Sequence, residues 1–346
     1  MKHLFTILLT LFSFYASGYA QKPFKVVFYN LENFFDLEND PDVLDDEFTP
    51  EGPKKWTKDK YDKKLSNIEK VFFDIAAINK DYPAVIGVCE IENRNVLEDI
   101  VATKKLSPAN YRIVHYDSPE LRGVDAAFMY RPDVLKLEGS KAIRTVIPSL
   151  PDFKTRDIVT MWGKIDQEDF FFMVAHWPSR LGGKEASAFR RIAVGNQMRH
   201  IADSVRALRP STKVVMMGDF NDDPTDESIS GEKGIGAKIK VKEITPADYY
   251  APFAALLKAG YGTLAYGDAW NIFDNIVVSG NLINEDKDQL KLKKADNSKF
   301  YGHIFKRHYM VQKEGQFKGY PLRTYVGNNF QGGFSDHFPV YIYIGK

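Results

Sequence analysis

Six times along this chain a polar residue equipped for chemistry follows or interrupts an apolar, strand-like run: Asn30, Glu90, His176, Asp219 with Asn221, Asp274, and Asp336 with His337. Strand ends drawn from distant parts of a sequence can converge at one edge of a sheet, where a rigid scaffold holds them for catalysis. The recurrence therefore points to one such edge, and each such residue alone would say little.

The runs themselves read as follows. Phe24 to Tyr29 is a β-branched and aromatic strand, and Pro83 to Cys89 is a continuous apolar run expected to be buried on both faces. Further strands are expected near Tyr111 to Tyr116, Val124 to Tyr130, Ile158 to Ile165, Phe170 to Ala175, Val214 to Met217, Asn275 to Val278 and Pro339 to Ile344. Tyr61, Leu65, Ile68, Phe72 and Ile75 recur at helical spacing, which predicts an amphipathic helix over Lys58 to Asn79. A second helix is expected from Ala186 to Leu208, with Phe189, Ile192, Ile201 and Val205 as its apolar stripe. Acid-rich Asp36 to Glu51 reads as a loop. Many strands with few helices argue for sheets covered by helices.

Residues 1–20 combine a basic start, an apolar run from Leu4 to Tyr15, and small residues at Gly18 and Ala20. This is the pattern of a secretory signal cleaved after Ala20, giving a secreted or periplasmic protein. The run is shorter than the roughly 20 residues a membrane span needs, and no other segment qualifies. Residues 21–346 contain no repeat or linker, so one domain is expected, as a monomer. The chain has 47 basic against 46 acidic residues, and no global positive field marks it for nucleic acid. One stretch departs from this balance: Asp286 to Arg323 carries ten basic against four acidic residues and looks inserted before the last strand. The single Cys89 reads as a small buried side chain, so export without disulfides leaves stability to the core.

Two stretches are more specific. Val214 to Pro224 runs an apolar strand into Gly218-Asp219-Phe220-Asn221, and Phe334 to Val340 places Asp336 and His337 beside a terminal strand. Together with Tyr29-Asn30-Leu31-Glu32-Asn33, Cys89-Glu90, Ala175-His176-Trp177-Pro178-Ser179 and Phe273-Asp274-Asn275, the chain resembles the endonuclease/exonuclease/phosphatase superfamily, which includes deoxyribonucleases, sphingomyelinases and inositol polyphosphate 5-phosphatases. Asn30 to Asp36 and the Gly319-Tyr320-Pro321-Leu322-Arg323-Thr324-Tyr325-Val326-Gly327 stretch resemble an exported bacterial branch.

The resemblance implies an α/β fold, a four-layer α/β/β/α sandwich of two packed mixed sheets. It implies that Glu90 holds Mg²⁺, with Mn²⁺ or Ca²⁺ as substitutes, helped by the Asn30 amide oxygen and by Asp336. It implies that Asp219 aligns or deprotonates water, that Asn221 donates to a phosphate oxygen, that His337 meets the phosphate while Asp274 orients it, and that His176 is a second phosphate-facing imidazole. Such a reaction needs a cation on the phosphoryl oxygens, an aligned water and donors around the developing charge.

Taken singly, Gly-Asp-x-Asn is a turn, Asp274 a cap and Asp336-His337 part of a surface loop; their number and order argue for function. Glu92, Arg122 and Asp125 are equally well explained by ordinary ion pairs, and Arg180 and Arg190 by either phosphate contact or helix surface. The Arg122-Gly123-Val124-Asp125 stretch departs from the nuclease pattern. No Gly-x-Ser-x-Gly elbow, no His-x-x-x-His pair and no dinucleotide fingerprint occurs. A nuclease is the first expectation, with a phosphate-ester substrate that includes nucleic acid. The alternatives are a phosphatase or phospholipase C-type enzyme, and a non-catalytic secreted binding protein on the same fold.

Overall fold

The computed structural model describes residues 22–283 and 288–346; the expected signal segment lies outside the described residues, as do Asp286 and Lys287 of the basic stretch. In chain order the first strands are β1 (Phe24–Phe34), β2 (Val85–Ile91), β3 (Arg112–His115), β4 (Asp125–Tyr130), β5 (Lys136–Ile143) and β6 (Ile158–Ile165). Next come β7 (Glu168–His176), β8 (Lys213–Asp219), β9 (Tyr249–Tyr250), β10 (Leu264–Tyr266), β11 (Ala269–Asn271) and β12 (Asp274–Ser279). The last are β13 (Lys291–Lys293), β14 (Gly302–Ile304), β15 (Tyr325–Val326), β16 (Asn329–Phe330) and β17 (Val340–Gly345). Three helices build the outer layers: α1 (Lys58–Ala77), α2 (Arg94–Ala102) and α3 (Lys184–Leu208).

One large sheet runs β13-β17-β1-β2-β4-β3, with β14 also paired to β17, and the other runs β5-β6-β7-β8-β12-β9. Both are mixed: β1 pairs parallel with β2, and β7 with β8, while their neighbours are antiparallel. A parallel pair needs a long crossover, and α1 and α3 supply the two crossovers.

Period-two alternation then fixes the layers. Val26, Phe28, Cys89, Phe172, Met217 and Ile276 face inward and form the core between the sheets. Val27, Tyr29, Ile86 and Val88, one residue out of step, meet Ile68, Phe72 and Ile75 of α1 and Leu97 of α2. On the other side Met173, Met216 and Val277 meet Val194, Met198 and Ala202 of α3. The result is the expected α/β/β/α sandwich. Gly87 permits close sheet packing, since a Cβ there would lie 2.5 Å from Met217 Sδ. Each fully buried large side chain contributes about 1.5–3 kcal/mol.

The structure corrects three expectations. The α3 stripe is centred on Val194, Met198 and Ala202, while Phe189 is 42% exposed. The helix turns this way because fully buried Arg191 points inward and pairs with Asp222 at 2.8 Å. Strand β5 went unpredicted because it is a polar edge with no buried residue. The stretch before the last strand is no mere insertion: β13 and β14 both pair with β17 and extend that sheet.

Candidate functional site

Register brings the residues together. His176 ends β7 opposite Asp219 at the end of β8, and Asp219 stands opposite Asp274 at the start of β12. Cross-strand partners point to one face, so the three side chains form a row along one edge of the second sheet. Gly218 is needed there, because a Cβ would come within 1.9 Å of the Ala175 carbonyl oxygen.

The first sheet contributes the facing residues. Asn30 lies in β1 where the pairing with β2 slips register, and Glu90 sits at the matching irregularity of β2 with a left-handed φ of 58°. Glu32, Asn33 and Asn221 are left-handed as well, at 51°, 49° and 51°. Such positions each cost about 1–3 kcal/mol and persist only where surroundings impose them. Here they turn Glu90 so that Oε2 accepts from the Asn33 N–H at 2.9 Å while Oε1 faces the second sheet.

Asn30 then ties the sheets together. Its Nδ2 donates to Glu90 Oε1 at 3.1 Å and to Asp219 Oδ2 at 3.0 Å, and its Oδ1 accepts from the Glu32 N–H at 2.9 Å. His176 Nε2 lies 3.5 Å from Asp219 Oδ2 and 3.8 Å from Glu90 Oε1. Glu90, His176 and Asp219 thus offer ligand atoms all within 4.8 Å of one another. Behind them His337 Nδ1 lies 2.7 Å from Asp274 Oδ2, leaving Nε2 free to face Asp219 and Asp336, each at 3.8 Å.

Burial and charge set protonation. Burial raises the Asp219 carboxyl above its usual range, Asp274 and Glu90 add to the rise, and His337 opposes it. For His337 burial disfavours the charge, but Asp274, Asp336 and Asp219 outweigh it and hold the imidazole well above its usual value. His176 is held well below, by burial first and then by Arg156, Arg122 and His337. One imidazole is therefore charged and the other neutral in the same site.

Several placements differ from expectation. Asn30 turns nitrogen, not oxygen, toward the site centre, because Glu32 N–H holds the oxygen. Asp336 lies outside the group formed by Glu90, His176 and Asp219, and Arg323 Nη2 holds its Oδ2 at 2.8 Å. Asn221 donates its amide to the Trp177 carbonyl at 3.0 Å, and its backbone N–H fixes Asp219 Oδ1 at 3.0 Å. His176 faces carboxylates as a neutral ring.

The ambiguous residues resolve into structure. Asp125 pairs with His115 at 3.0 Å, Glu92 accepts from the Asp36 N–H at 2.6 Å, and Arg122 pairs with Glu120 at 3.1 Å. Arg180 is taken up by Asp222, Asp223 and Asp226, and Arg190 lies over Phe153. Sequence reasoning missed buried Arg156, whose Nη2 donates to the Trp177 carbonyl at 3.2 Å. It also missed the chain from Glu32 through Arg323 to Asp336, at 3.2 and 2.8 Å, footed on fully buried Lys64. The Gly319 to Gly327 stretch held the signal, for it delivers Arg323 and the Thr324 N–H to Glu32.

Several solved structures share this fold. The mannosyl-6-phosphatase Bt3783 of Bacteroides thetaiotaomicron is 16% identical, with a TM-score of 0.55 over 93% of this chain and 100% of that one. TDP2 of D. rerio, complexed with a single-strand DNA product, is 13% identical with a TM-score of 0.54 over 94% and 100%. The human Nocturnin catalytic domain, with a bound sulfate anion, is 15% identical with a TM-score of 0.52 over 93% and 94%. These similarities establish a shared fold. No curated protein matches the sequence. Residues 25–346 match the profile of the Endonuclease/Exonuclease/phosphatase family, and the chain belongs to that family.

Proposed function

We propose that this phosphoesterase hydrolyses phosphodiesters with a divalent cation, that nucleic acid is its substrate class, and that it acts outside the cytoplasm after loss of residues 1–20. The observation that carries the reading is the meeting of Glu90, His176 and Asp219 within 4.8 Å beside the Asp274–His337 pair. The two carboxylates suit a hard divalent ion such as Mg²⁺ or Mn²⁺, and the neutral imidazole beside them favours Mn²⁺ over Mg²⁺ and Ca²⁺. Such an ion, when bound, would neutralise charge on the phosphoryl oxygens.

The chain's own residues supply the rest. Asp219, held in place by the Asn30 amide and the Asn221 N–H, would align the attacking water against the phosphate. The charged His337 offers a donor at Nε2 to a phosphate oxygen or to the departing oxygen, while Asp274 fixes its ring and tautomer. The single-strand DNA product in the similar D. rerio TDP2 supports nucleic acid as the class to test first.

Purified mature protein with Mg²⁺ or Mn²⁺ should cleave single-stranded DNA or RNA faster than it releases phosphate from mannose 6-phosphate or headgroup from sphingomyelin. Hydrolysis of none of these with either metal would overturn the reading. Mass spectrometry of the exported protein should find a start at Gln21.

A further inference from the structure

A cleft of about 400 Å³ opens beside the site, sharing Arg323 and Asp336 with it. Its volume falls within the roughly 300–1,000 Å³ of small-molecule sites. One wall is the β10–β11 hairpin, closed by a two-residue turn at Gly267 and Asp268 with φ of 54° and 62°. Those left-handed values match the twist of the paired strands and set Tyr266 at the hairpin tip. The other wall comes from residues 312–331.

The walls are pinned to each other. Tyr320 OH accepts from the Asp268 N–H at 2.8 Å and donates to Asp268 Oδ1 at 2.7 Å, and its ring meets Trp270 at 5.8 Å. Trp270 in turn stacks on Phe338, the residue after His337, at 6.2 Å and 11°. The cleft is thereby joined rigidly to the catalytic imidazole.

Its lining is unusual for a solvent-facing surface. Tyr266 is 83% exposed, Phe317 45% and Val326 41%. Apolar side chains gathered round a concave surface mark a binding site, whereas scattered ones need no explanation. Among them stand the amides of Gln312 and Gln331, each donating once to a carbonyl of its own loop, at 3.3 and 3.1 Å, and each retaining a second amide hydrogen and an oxygen.

We infer that this cleft is a base-binding subsite, taking the nucleobase next to the scissile phosphate, its face against Tyr266 and Phe317 and its edge toward Gln312 and Gln331. The inference deepens the proposed nucleic-acid reading and rests on it for the identity of the neighbouring phosphate. Flat aromatic walls accept any base through its π-face, and amides offer both donors and acceptors to its edge. An acyl chain would leave those amides without partners.

Calorimetric titration of the mature protein in chelator, with phosphate release monitored, compares adenosine 5′-monophosphate with ribose 5-phosphate, which shares the phosphate and pentose but lacks the base. We expect the nucleotide to bind roughly tenfold more tightly or better, the scale of one stacked base. Tyr266→Ala combined with Phe317→Ala should abolish that advantage and leave ribose 5-phosphate unchanged. Both side chains are solvent-exposed, so the fold should stand, and circular dichroism checks it. Equal affinities in the parent, or an advantage that survives both substitutions, would overturn the inference. So would loss of sphingomyelin binding in the variant with no nucleotide preference in the parent, which makes the cleft a lipid site. A nucleotide advantage in a protein that hydrolyses no phosphate ester would keep the subsite and remove the proposed catalysis.

Discussion

His337 and Asp274 join the two sheets at their active edge: the imidazole Nδ1 of a residue just ahead of β17 lies 2.7 Å from the carboxylate that opens β12. Asp274 is fully buried, and Oδ2 is its only carboxylate oxygen with a partner among the described residues. Its effect on chemistry should therefore pass through the imidazole. We expect His337→Gln and Asp274→Asn each to lower kcat on the order of 10²-fold or more, with the double variant little worse than the worse single. Fully additive losses would show that the two act separately. Asp274→Asn should also bring the His337 pKa down, since the carboxylate holds it up, and NMR of the ring protons reads this without turnover.

Removal of metal tests the other half of the site. Glu90 Oε1 faces Asp219 and His176, whereas Oε2 is held by the Asn33 N–H, a bond the Gln side chain can keep. Glu90→Gln gives up the bond from Asn30 Nδ2, so the melting temperature should fall by a few degrees while circular dichroism shows the fold retained. It should move the midpoint of a Mg²⁺ or Mn²⁺ activation curve upward roughly tenfold or more, and excess chelator should silence the parent. An unchanged metal titration, or full activity in chelator, would contradict the assignment of Glu90.

How far the sequence carries this picture depends on where each residue's partner lies. Strand β6 was legible to the residue at Ile158–Ile165, because burial and period-two spacing are local properties. The row of His176, Asp219 and Asp274 could be anticipated as strand ends, but its register appears only when β7, β8 and β12 pair. Asn30 shows the limit: which amide atom faces the site depends on the Glu32 N–H, in a left-handed turn whose residues carry no glycine to announce it. Lys64, beside the apolar stripe of α1, is buried and donates to the Phe334 carbonyl, a partner 270 residues away that no local pattern announces.

The basic stretch divides where composition suggested a unit. Lys306 lies 4.9 Å above Trp270 and 5.1 Å above Phe338, next to His337. Lys293 stands opposite Tyr343, toward the end of β17 remote from the site, and Lys294 lies over Tyr301. Attraction between solvent-facing charges is screened within about 10 Å at 0.1 M salt. Lys306→Gln should accordingly raise KM for an oligonucleotide severalfold at low salt and less at high salt, whereas Lys293→Gln with Lys294→Gln should not. Measuring KM against NaCl concentration separates them, and equal effects would mean that the stretch acts through its summed field.

His303 gives a prediction free of the active site. On β14 it stands opposite Tyr341, with the two rings 5.0 Å apart, and its Nε2 is buried without a partner among the described residues. Burial brings its pKa down from 6.5 to about 4. Between these values the unfolded chain binds the proton more readily than the folded one, so stability must fall as pH falls. The contribution is fully present above pH 6.5, fades as pH drops toward 4, and is gone below it. His303→Phe keeps a ring against Tyr341 and removes the proton site. Urea unfolding of both proteins across this range should show the parent losing on the order of 1–3 kcal/mol more than the variant. Activity near pH 7 should be the same in both, since the ring lies outside the site and is neutral there. Parallel stability curves would show that the imidazole takes up its proton in the folded state at no cost, and that burial on β14 does not hold it neutral.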